Sequence, residues 1–285
     1  MSSQDRTSSR RARILKISAV TSAGALFLSG CSSEAQTGWL PSDRDTTNHT
    51  GRIIDLWVNS WIAALAVGIL TWALILWCMV AYRRRKNETG YPRQLSYNLP
   101  LEIFYTAVPL FMVLVLFYFT NQDIKAINAT SDDPDRVIID VRAKQWSWDF
   151  NYVNEDKYYQ GVQVNLDGQE VKQDEFPTLV LPVDQTIELQ LNTRDVQHSF
   201  WVPAFLQKMD VYPGRTNVIT LETGKTGTFD GKCAELCGEY HSEMLFNVEV
   251  VSEAEYDEYV ATLPSGQVDE NYDRQYNSES SEVRK

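Results

Sequence analysis

The strongest constraint on this chain is a pair of uncharged stretches on either side of a short basic loop. Residues 56–82 contain no Asp, Glu, Lys or Arg over 27 positions, and residues 103–122 contain none over 20. About 20 apolar residues suffice for a helix to cross a bilayer. Neither stretch has the polar face that a core helix of a soluble protein would show. The sequence therefore predicts transmembrane helices at 56–82 and 101–122 instead of two buried helices of a soluble domain.

The charge around the two stretches predicts their orientation. The connecting loop, 83–100, opens with four consecutive basic residues, and no comparable cluster flanks the other ends of the stretches. Loops rich in Lys and Arg remain on the cytoplasmic side. The loop is therefore predicted to be cytoplasmic, with the segment 31–55 and everything after residue 122 outside.

The first 30 residues read as an export signal, since a basic segment of net charge +4 precedes an apolar stretch and small residues. The signal ends in Leu28-Ser29-Gly30-Cys31, which resembles the lipobox of bacterial lipoproteins, where the cysteine is acylated. The alternative is an ordinary signal peptide with an accidental cysteine. Lipidation of Cys31 outside the bacterial cytoplasmic membrane agrees with the predicted orientation of the hairpin.

The acidity of the chain is concentrated after the second stretch. The net charge is -12 overall, but residues 121–285 alone carry -17. Such a surface repels phosphate, so nucleic acid is excluded as a partner. It would attract a basic protein partner in a salt-sensitive way, although acidic residues of this kind also serve solubility.

The segment 123–263 has the period-two alternation of half-buried strands. The pattern is clearest at 137–142, 187–192 and 246–250, and about eight strands are expected in all. An antiparallel sandwich or barrel is the natural architecture. The polar stretch near 154–176 is interpreted as an insertion, Ser252 as the start of a short capped helix, and 264–285 as an acidic flexible tail.

One short segment carries the chemistry. Residues 233–244 read CAELCGEYHSEM, so two thiols, an imidazole and a thioether occur at the spacing C-x3-C-x3-H-x2-M. A further histidine, His198, lies at one end of the predicted strand 198–202. Soft sulfur and imidazole ligands suit copper better than oxygen-seeking cations. Two bridging thiolates would hold two metal ions close together, an arrangement suited to electron transfer.

Two simpler interpretations stay open on these residues alone. In an oxidising compartment Cys233 and Cys237 could form a disulfide, or they could hold a tetrahedral zinc with His198 and His241. The disulfide explains neither the histidines nor the methionine. The zinc site leaves Met244 without a role.

With these motifs in place, the chain resembles subunit II of haem-copper cytochrome c oxidases, in a bacterial lipoprotein form. The family motif C-x-E-x-C-x3-H-x2-M is complete, and the likeness extends over about residues 50–260. The resemblance implies a two-helix transmembrane hairpin followed by an all-β, cupredoxin-like Greek-key sandwich. The other matching segments are Gln145-Trp146-x-Trp148, Asp195-Val196-x-His198-Ser199-Phe200-x-x-Pro203, Lys208-x-Asp210 and Pro213-Gly214-Arg215.

The resemblance also implies a binuclear copper centre, CuA. Both cysteines would bridge the two coppers. His198 and Met244 would complete one copper, and His241 with the backbone carbonyl of Glu235 the other. The Glu235 side chain would reach a magnesium ion shared with subunit I. The implied metal ligands are His198, Cys233, Glu235, Cys237, His241 and Met244.

Two further residues receive roles from the resemblance. Trp146 would receive electrons from cytochrome c, and its alternative role is packing in the sandwich. Glu102 would stand at the cytoplasmic mouth of a proton channel into subunit I, and its alternative is a carboxylate that simply reaches cytoplasmic water. Thr106 and Pro109 match the family beside Glu102, whereas Tyr105 replaces the more usual Trp.

The resemblance implies an oxidase subunit without a catalytic centre of its own. Electrons from cytochrome c, soluble or held in a bc-type complex, would pass to haem in subunit I, where reduction of oxygen to water is coupled to proton pumping. Further oxidase subunits and membrane lipid are the other expected partners. The alternative function is a membrane-tethered CuA-type copper carrier or copper chaperone, which would need neither Glu102 nor paired spans. Two other classes with similar features are disfavoured. Quinol-oxidising relatives of this family lack the copper ligands, and nitrous oxide reductase, which has a similar copper loop, needs a large second domain.

Overall fold

The computed structural model describes residues 32–85, 89–91, 94, 96–164 and 175–268. The chain divides into two units, Met1–Leu40 and Pro41–Lys285. The short helix α1 (Ser33–Gln36) belongs to the first. The predicted signal 1–30 and Cys31 lie outside the described residues, so both remain predictions.

Two long helices open the second unit. Helix α2 (Thr50–Ala81) has 32 residues and helix α3 (Leu99–Ile127) has 29, which at about 1.5 Å per residue exceeds the ~30 Å of a bilayer core. Both continue past the uncharged stretches at their outer ends, where an ion pair of 2.9 Å joins Arg52 to Asp123. A charge ends a membrane span but does not end a helix. Large apolar side chains are exposed along both helices, among them Trp72, Trp77, Phe111, Leu114 and Phe117.

The start of α2 is attached to the domain that follows the hairpin. Asn48 Oδ1 accepts a hydrogen bond from the backbone N–H of Glu222 at 3.0 Å. His49 Nε2 lies 3.0 Å from the carbonyl of Thr220, and Ile54 is fully buried in the first turns of the helix. The start of helix α2 is therefore packed onto a strand of the domain that follows the hairpin.

Within the described residues, ten strands form two five-stranded sheets. The strands are β1 (Val137–Lys144), β2 (Ser147–Tyr152), β3 (Lys157–Tyr159), β4 (Thr178–Pro182), β5 (Thr186–Thr193), β6 (His198–Val202), β7 (Gln207–Val211), β8 (Asn217–Glu222), β9 (Gly227–Cys233) and β10 (Leu245–Val251). The first sheet has the order β3-β2-β1-β5-β8 and the second β4-β10-β9-β6-β7. Alternate residues of both sheets point inward, as the period of two predicts, and aromatic rings such as Trp148, Phe150 and Phe246 fill the core.

The expectation of an antiparallel sandwich is wrong in part, because two pairs of strands are parallel. Strand β1 runs parallel to β5, and β4 runs parallel to β10. These pairs are parallel because the chain crosses to the other sheet before it returns beside an earlier strand. The sequence could not predict this, since alternation of side chains carries no information about strand direction. Strands β3 and β7 are also additional to the predicted set. Strand β3 lies inside the stretch interpreted as an insertion.

Strands β1 and β2 of the first sheet are buried on the face turned away from the core as well as on the core face. All six residues of β2 are buried, including Asp149 and Asn151. Two chain segments cover this face. The N–H of Gly161 donates to Asp149 Oδ1 at 2.9 Å, and the N–H of Val268 donates to Asn151 Oδ1 at 2.8 Å. The sequence pattern predicted half-buried strands, whereas β1 and β2 are buried on both faces.

The C-terminal part follows the sequence expectation for the helix but not for the tail. Helix α4 (Glu253–Thr262) begins with a capping box in which Ser252 and Glu255 bond reciprocally, as predicted. The flexible tail was expected from residue 264, yet Ser265 accepts a hydrogen bond from Lys157 at 3.1 Å and Val268 is buried. Residues 264–268 therefore belong to the packed domain, and the rest of the predicted tail lies outside the described residues.

Candidate metal centre

Sheet pairing brings the histidine and the cysteine segment together. His198 is the first residue of β6 and Cys233 the last of β9, and these strands are neighbours with Phe200 opposite Cys233. The N–H of Cys233 also bonds the carbonyl of Met244 at 3.0 Å. That bond closes the metal loop, residues 233–244, onto the end of the second sheet.

The donor atoms of the metal loop and His198 form one compact group. Cys233 Sγ lies 3.8 Å from His198 Nδ1 and 3.8 Å from Cys237 Sγ. Cys237 Sγ lies 3.5 Å from His241 Nδ1 and 3.8 Å from Met244 Sδ. Ligands on one tetrahedral ion with metal–sulfur distances of about 2.3 Å are separated by about this much. The donors are therefore spaced as they would be around a metal ion, with Cys237 in contact with donors on both sides.

The donors fit copper better than the two simpler interpretations. Cys233 and Cys237 are free thiols, and their 3.8 Å separation far exceeds the ~2.05 Å of a disulfide. Met244 is fully buried with its sulfur turned to the thiols, and the carbonyl oxygen of Glu235 lies 3.2 Å from Cys233 Sγ. A thioether is a ligand for soft ions such as copper and is foreign to structural zinc sites.

The thiols and the imidazole influence one another's protonation. A hydrogen bond from Cys237 lowers the pKa of Cys233 far below that of an ordinary thiol, and the same contact raises the pKa of Cys237. Burial lowers the pKa of His198, but its contacts with Asp195, at 2.8 Å, and with Cys233 together outweigh burial and raise that pKa. Because a metal replaces protons on such ligands, binding releases protons and depends on pH.

Trp146 lies against the backbone of the metal loop. Its indole Nε1–H donates to the carbonyl of Cys237 at 3.2 Å, and Gln145 Nε2 donates to the same oxygen at 2.8 Å. Tyr240 packs edge-on against the indole with ring centroids 4.9 Å apart. The indole is partly exposed, so it joins the surface of the domain to a residue of the metal loop.

Glu102 lies far from this centre. It is in the first turn of α3, where its Oε1 accepts a hydrogen bond from the N–H of Asn98 at 3.2 Å. The outer domain follows the other end of that helix, after Ile127, about 38 Å away at 1.5 Å per residue. Of the predicted site residues with described positions, the structure brings His198, Cys233, Glu235, Cys237, His241, Met244 and Trp146 together, and it does not bring Glu102 to them.

Two residues of the site received no role from the sequence. Asp195 Oδ1 contacts His198 Nε2, the ring nitrogen turned away from the thiols, and Asp195 Oδ2 accepts from the N–H of Gln145 at 2.7 Å. Both residues belong to the matching segments Gln145-Trp146-x-Trp148 and Asp195-Val196-x-His198. That membership was the available signal, but it does not reveal which atoms meet.

The fold and the site define a class of protein: a β-sandwich domain with a sulfur-rich metal site, attached to two membrane-competent helices. Residues 137–251 match the family described as cytochrome c oxidase subunit II, periplasmic domain. A protein of Streptomyces avermitilis, named as a probable cytochrome c oxidase subunit 2, is 41% identical, with 76% of each chain covered. Cytochrome c oxidase subunit 2 of Mycobacterium tuberculosis is 37% identical, with 88% of this chain and 82% of that one covered. The chain belongs to the cytochrome c oxidase subunit II family.

A solved structure shows the same likeness within the outer domain. The periplasmic domain of cytochrome oxidase subunit II of Bradyrhizobium japonicum is 32% identical, with a TM-score of 0.41, over 48% of this chain and 96% of that one. The family match confirms the predicted family and the predicted fold class. The relatives are subunits of an oxidoreductase, and the two apolar helices with a periplasmic-type domain make this a membrane protein with an outer domain.

Proposed function

We propose that this chain is the electron-accepting subunit of a cytochrome c oxidase. Its outer domain would receive electrons from cytochrome c and deliver them to haem in subunit I, where oxygen is reduced to water and protons are pumped. The observation that carries the proposal is the set of donors around Cys233 and Cys237. Two thiols, two imidazoles, a thioether and a carbonyl face one another within a few ångströms.

These donors would hold two copper ions. Cys233 and Cys237 would bridge both, His198 and Met244 would complete one, and His241 with the Glu235 carbonyl would complete the other. A bound pair of this kind supplies one-electron chemistry with little change in charge or geometry at either ion. The chain contributes rigidity, because β6, β9 and the bond from Cys233 N–H to Met244 hold the donors at one end of a packed sheet.

Trp146 is the residue through which electrons would reach the metal loop. The partly exposed indole is joined to Cys237 through its hydrogen bond to the Cys237 carbonyl. The charge of -17 after residue 120 would guide a basic cytochrome c, whether soluble or fixed in a bc-type complex, to the outer domain. Association would then weaken as salt is added.

Two carboxylates complete the proposal. Glu235, whose carbonyl contacts Cys233, would direct its side chain to a magnesium ion shared with subunit I. Glu102 would take up protons at the cytoplasmic end of α3. The export signal, a lipid on Cys31 and contact with further oxidase subunits belong to the same proposal.

Copper content and spin distribution test the proposal directly. The full-length chain, purified in mild detergent and loaded with copper, should bind two coppers per chain and give a mixed-valence EPR spectrum with the electron shared equally between them. Cys237→Ser should abolish that spectrum. Cys78→Ser is the matched control, because Cys78 is an exposed cysteine of α2 outside the site, and it should change neither value. A single-copper spectrum would refute the binuclear centre.

A further inference from the structure

A buried cluster of three charged side chains lies behind the metal site and has no part in the proposed function. Lys144 Nζ lies 2.7 Å from Asp149 Oδ1, and Arg194 Nη2 lies 2.9 Å from Asp149 Oδ2. The second contact is an ion pair without hydrogen-bond alignment. The three side chains are 4%, 0% and 7% exposed. We name Lys144, Asp149 and Arg194 the charge cluster.

A covering segment, residues 160–164, lies against Asp149 of the charge cluster. The N–H of Gly161 bonds Asp149 Oδ1 at 2.9 Å, and a Cβ at Gly161 would lie 2.0 Å from the carbonyl oxygen of Trp148. The segment therefore lies directly on β2. Its Gln163 Nε2 also reaches Glu243 of the metal loop at 3.4 Å.

Stability does not explain the charge cluster. Desolvation of buried ions offsets most of their attraction, and a well-packed apolar replacement is often as stable. Burial also lowers the pKa of Lys144, against the attraction of Asp149. Because burying these three ions costs desolvation free energy, we look for a role that apolar side chains could not fill.

The charge cluster is connected to the copper ligand through Asp195. Arg194 directly precedes Asp195 in the chain. Lys144 directly precedes Gln145, and the N–H of Gln145 donates to Asp195 Oδ2 at 2.7 Å. Asp195 Oδ1 in turn contacts His198 Nε2 at 2.8 Å. The side chain of Asp195 is only 3% exposed. The charge cluster alone has a net charge of +1, from Lys144, Arg194 and Asp149. Adding the carboxylate of Asp195 makes the group neutral.

We infer that Lys144, Asp149 and Arg194 are positioning residues that balance the charge of Asp195 and so set the reduction potential of the centre bound at His198. The inference rests on the proposed function. Reduction adds an electron to the centre, so loss of a nearby cation disfavours it and loss of a nearby anion favours it. Because the three side chains are almost fully buried, each charge is screened only weakly.

Three variants test the sign of this effect. The full-length copper-loaded chain is titrated with a reductant while the mixed-valence EPR signal is followed. At the wild-type midpoint, Lys144→Met should lower the ratio of reduced to oxidised centre by roughly threefold to tenfold, and Asp149→Asn should raise it by a similar factor. The double variant Lys144→Met with Asp149→Asn restores the net charge and should return the ratio close to that of the wild type.

The control removes a cation that lies next to the same sheet but far from the charge cluster. Arg136 precedes β1, pairs with Glu188 at 2.7 Å and lies eight residues, about 26 Å of extended strand, from Lys144. Arg136→Met should leave the ratio unchanged. If Lys144→Met does not fold, Arg194→Gln makes the same charge change and should lower the ratio.

The outcomes separate this inference from the proposed function. Unchanged midpoints in variants that keep the wild-type EPR spectrum overturn the inference and leave the proposed function intact. Shifts of Lys144→Met and Asp149→Asn in the same direction also overturn it, since packing damage and not charge would then be the cause. A wild-type chain that binds no binuclear copper overturns both.

Discussion

At the scale of single residues, the site depends on how His198 is held. The ring presents Nδ1 to Cys233 and Nε2 to Asp195, so the carboxylate fixes both its orientation and its tautomer. Asp195 is itself held by the N–H groups of Gln145 and Val196 at 2.7 Å each. Such carboxylate–histidine–metal arrangements raise the basicity of the ligand and favour the bound ion.

Asp195→Asn should weaken copper binding about 10- to 100-fold, the usual cost of losing a carboxylate behind a metal-bound histidine. Competition with a copper chelator measures the change. Asp184→Asn is the matched control, because Asp184 occupies an exposed turn with φ +56°, which Asn tolerates. Equal copper affinity of the Asp195 variant and the wild type would contradict a role for Asp195.

Trp146→Phe tests whether the indole carries electrons or only packs. The variant keeps an aromatic ring against Tyr240 but loses the N–H that bonds the Cys237 carbonyl. In the oxidase complex, oxidation of cytochrome c should slow about tenfold or more, while flash-induced electron transfer from this subunit to haem stays close to normal. Trp201→Phe is the control, since Trp201 packs under Lys232. Equal slowing of both steps would assign Trp146 a structural role.

At the scale of elements, the covering segment determines how the outer sheet behaves. Strand β2 is buried on both faces because residues 160–164 lie on its polar side. The glycine at position 161 is required there, because the carbonyl of Trp148 occupies the space of a side chain.

Gly161→Ala should destabilise the outer domain by about 1–3 kcal/mol, the usual cost of forcing extra volume into a packed site. Urea unfolding of the metal-free chain in detergent, followed by tryptophan fluorescence, measures the loss. Gly68→Ala is the comparison, since a Cβ at Gly68 meets nothing within 4 Å. Identical unfolding midpoints for Gly161→Ala and the wild type would show that the segment is not tightly seated.

The element scale also shows what the sequence could and could not predict. Alternating residues predicted most strands, and uncharged length predicted both helices. The spacing after Cys233 predicted a site of soft donors, whereas the roles of the individual ligands rest on the resemblance and stay a prediction. Strand direction was not predictable, since β1 and β5 alternate in the same way whether parallel or antiparallel. The buried polar face was not predictable either. Lys144 and Asp149 alternate with apolar neighbours like solvent-facing residues, and only tertiary contacts cover them.

At the scale of the whole molecule, the two predicted functions lie at opposite ends. The metal loop belongs to the outer domain, whereas Glu102 lies at the start of α3, beside the basic loop predicted to be cytoplasmic. Electrons and protons would therefore meet the oxidase complex from opposite faces of the membrane.

Glu102→Gln should slow proton-coupled turnover of the oxidase complex while copper content stays unchanged. The amide can still accept the hydrogen bond from the Asn98 N–H, so the start of α3 is preserved, but it cannot carry a proton. Oxygen consumption and proton release by vesicles containing the complex measure the effect. Asn98→Ala, which removes the side chain that caps α3, is the control for damage to the start of the helix. Full turnover in Glu102→Gln would contradict the proton-uptake role and leave Glu102 as an interfacial carboxylate.

The attachment of α2 to β8 has a consequence for distance. Asn48 and His49 bond the backbone of Glu222 and Thr220, and Ile54 is buried in the same joint. These contacts oppose swinging of the sandwich relative to the start of α2. Electron tunnelling slows exponentially as donor and acceptor separate, so this joint would keep the height of the metal loop above the bilayer, and with it the tunnelling path into the membrane partner, constant during thermal motion.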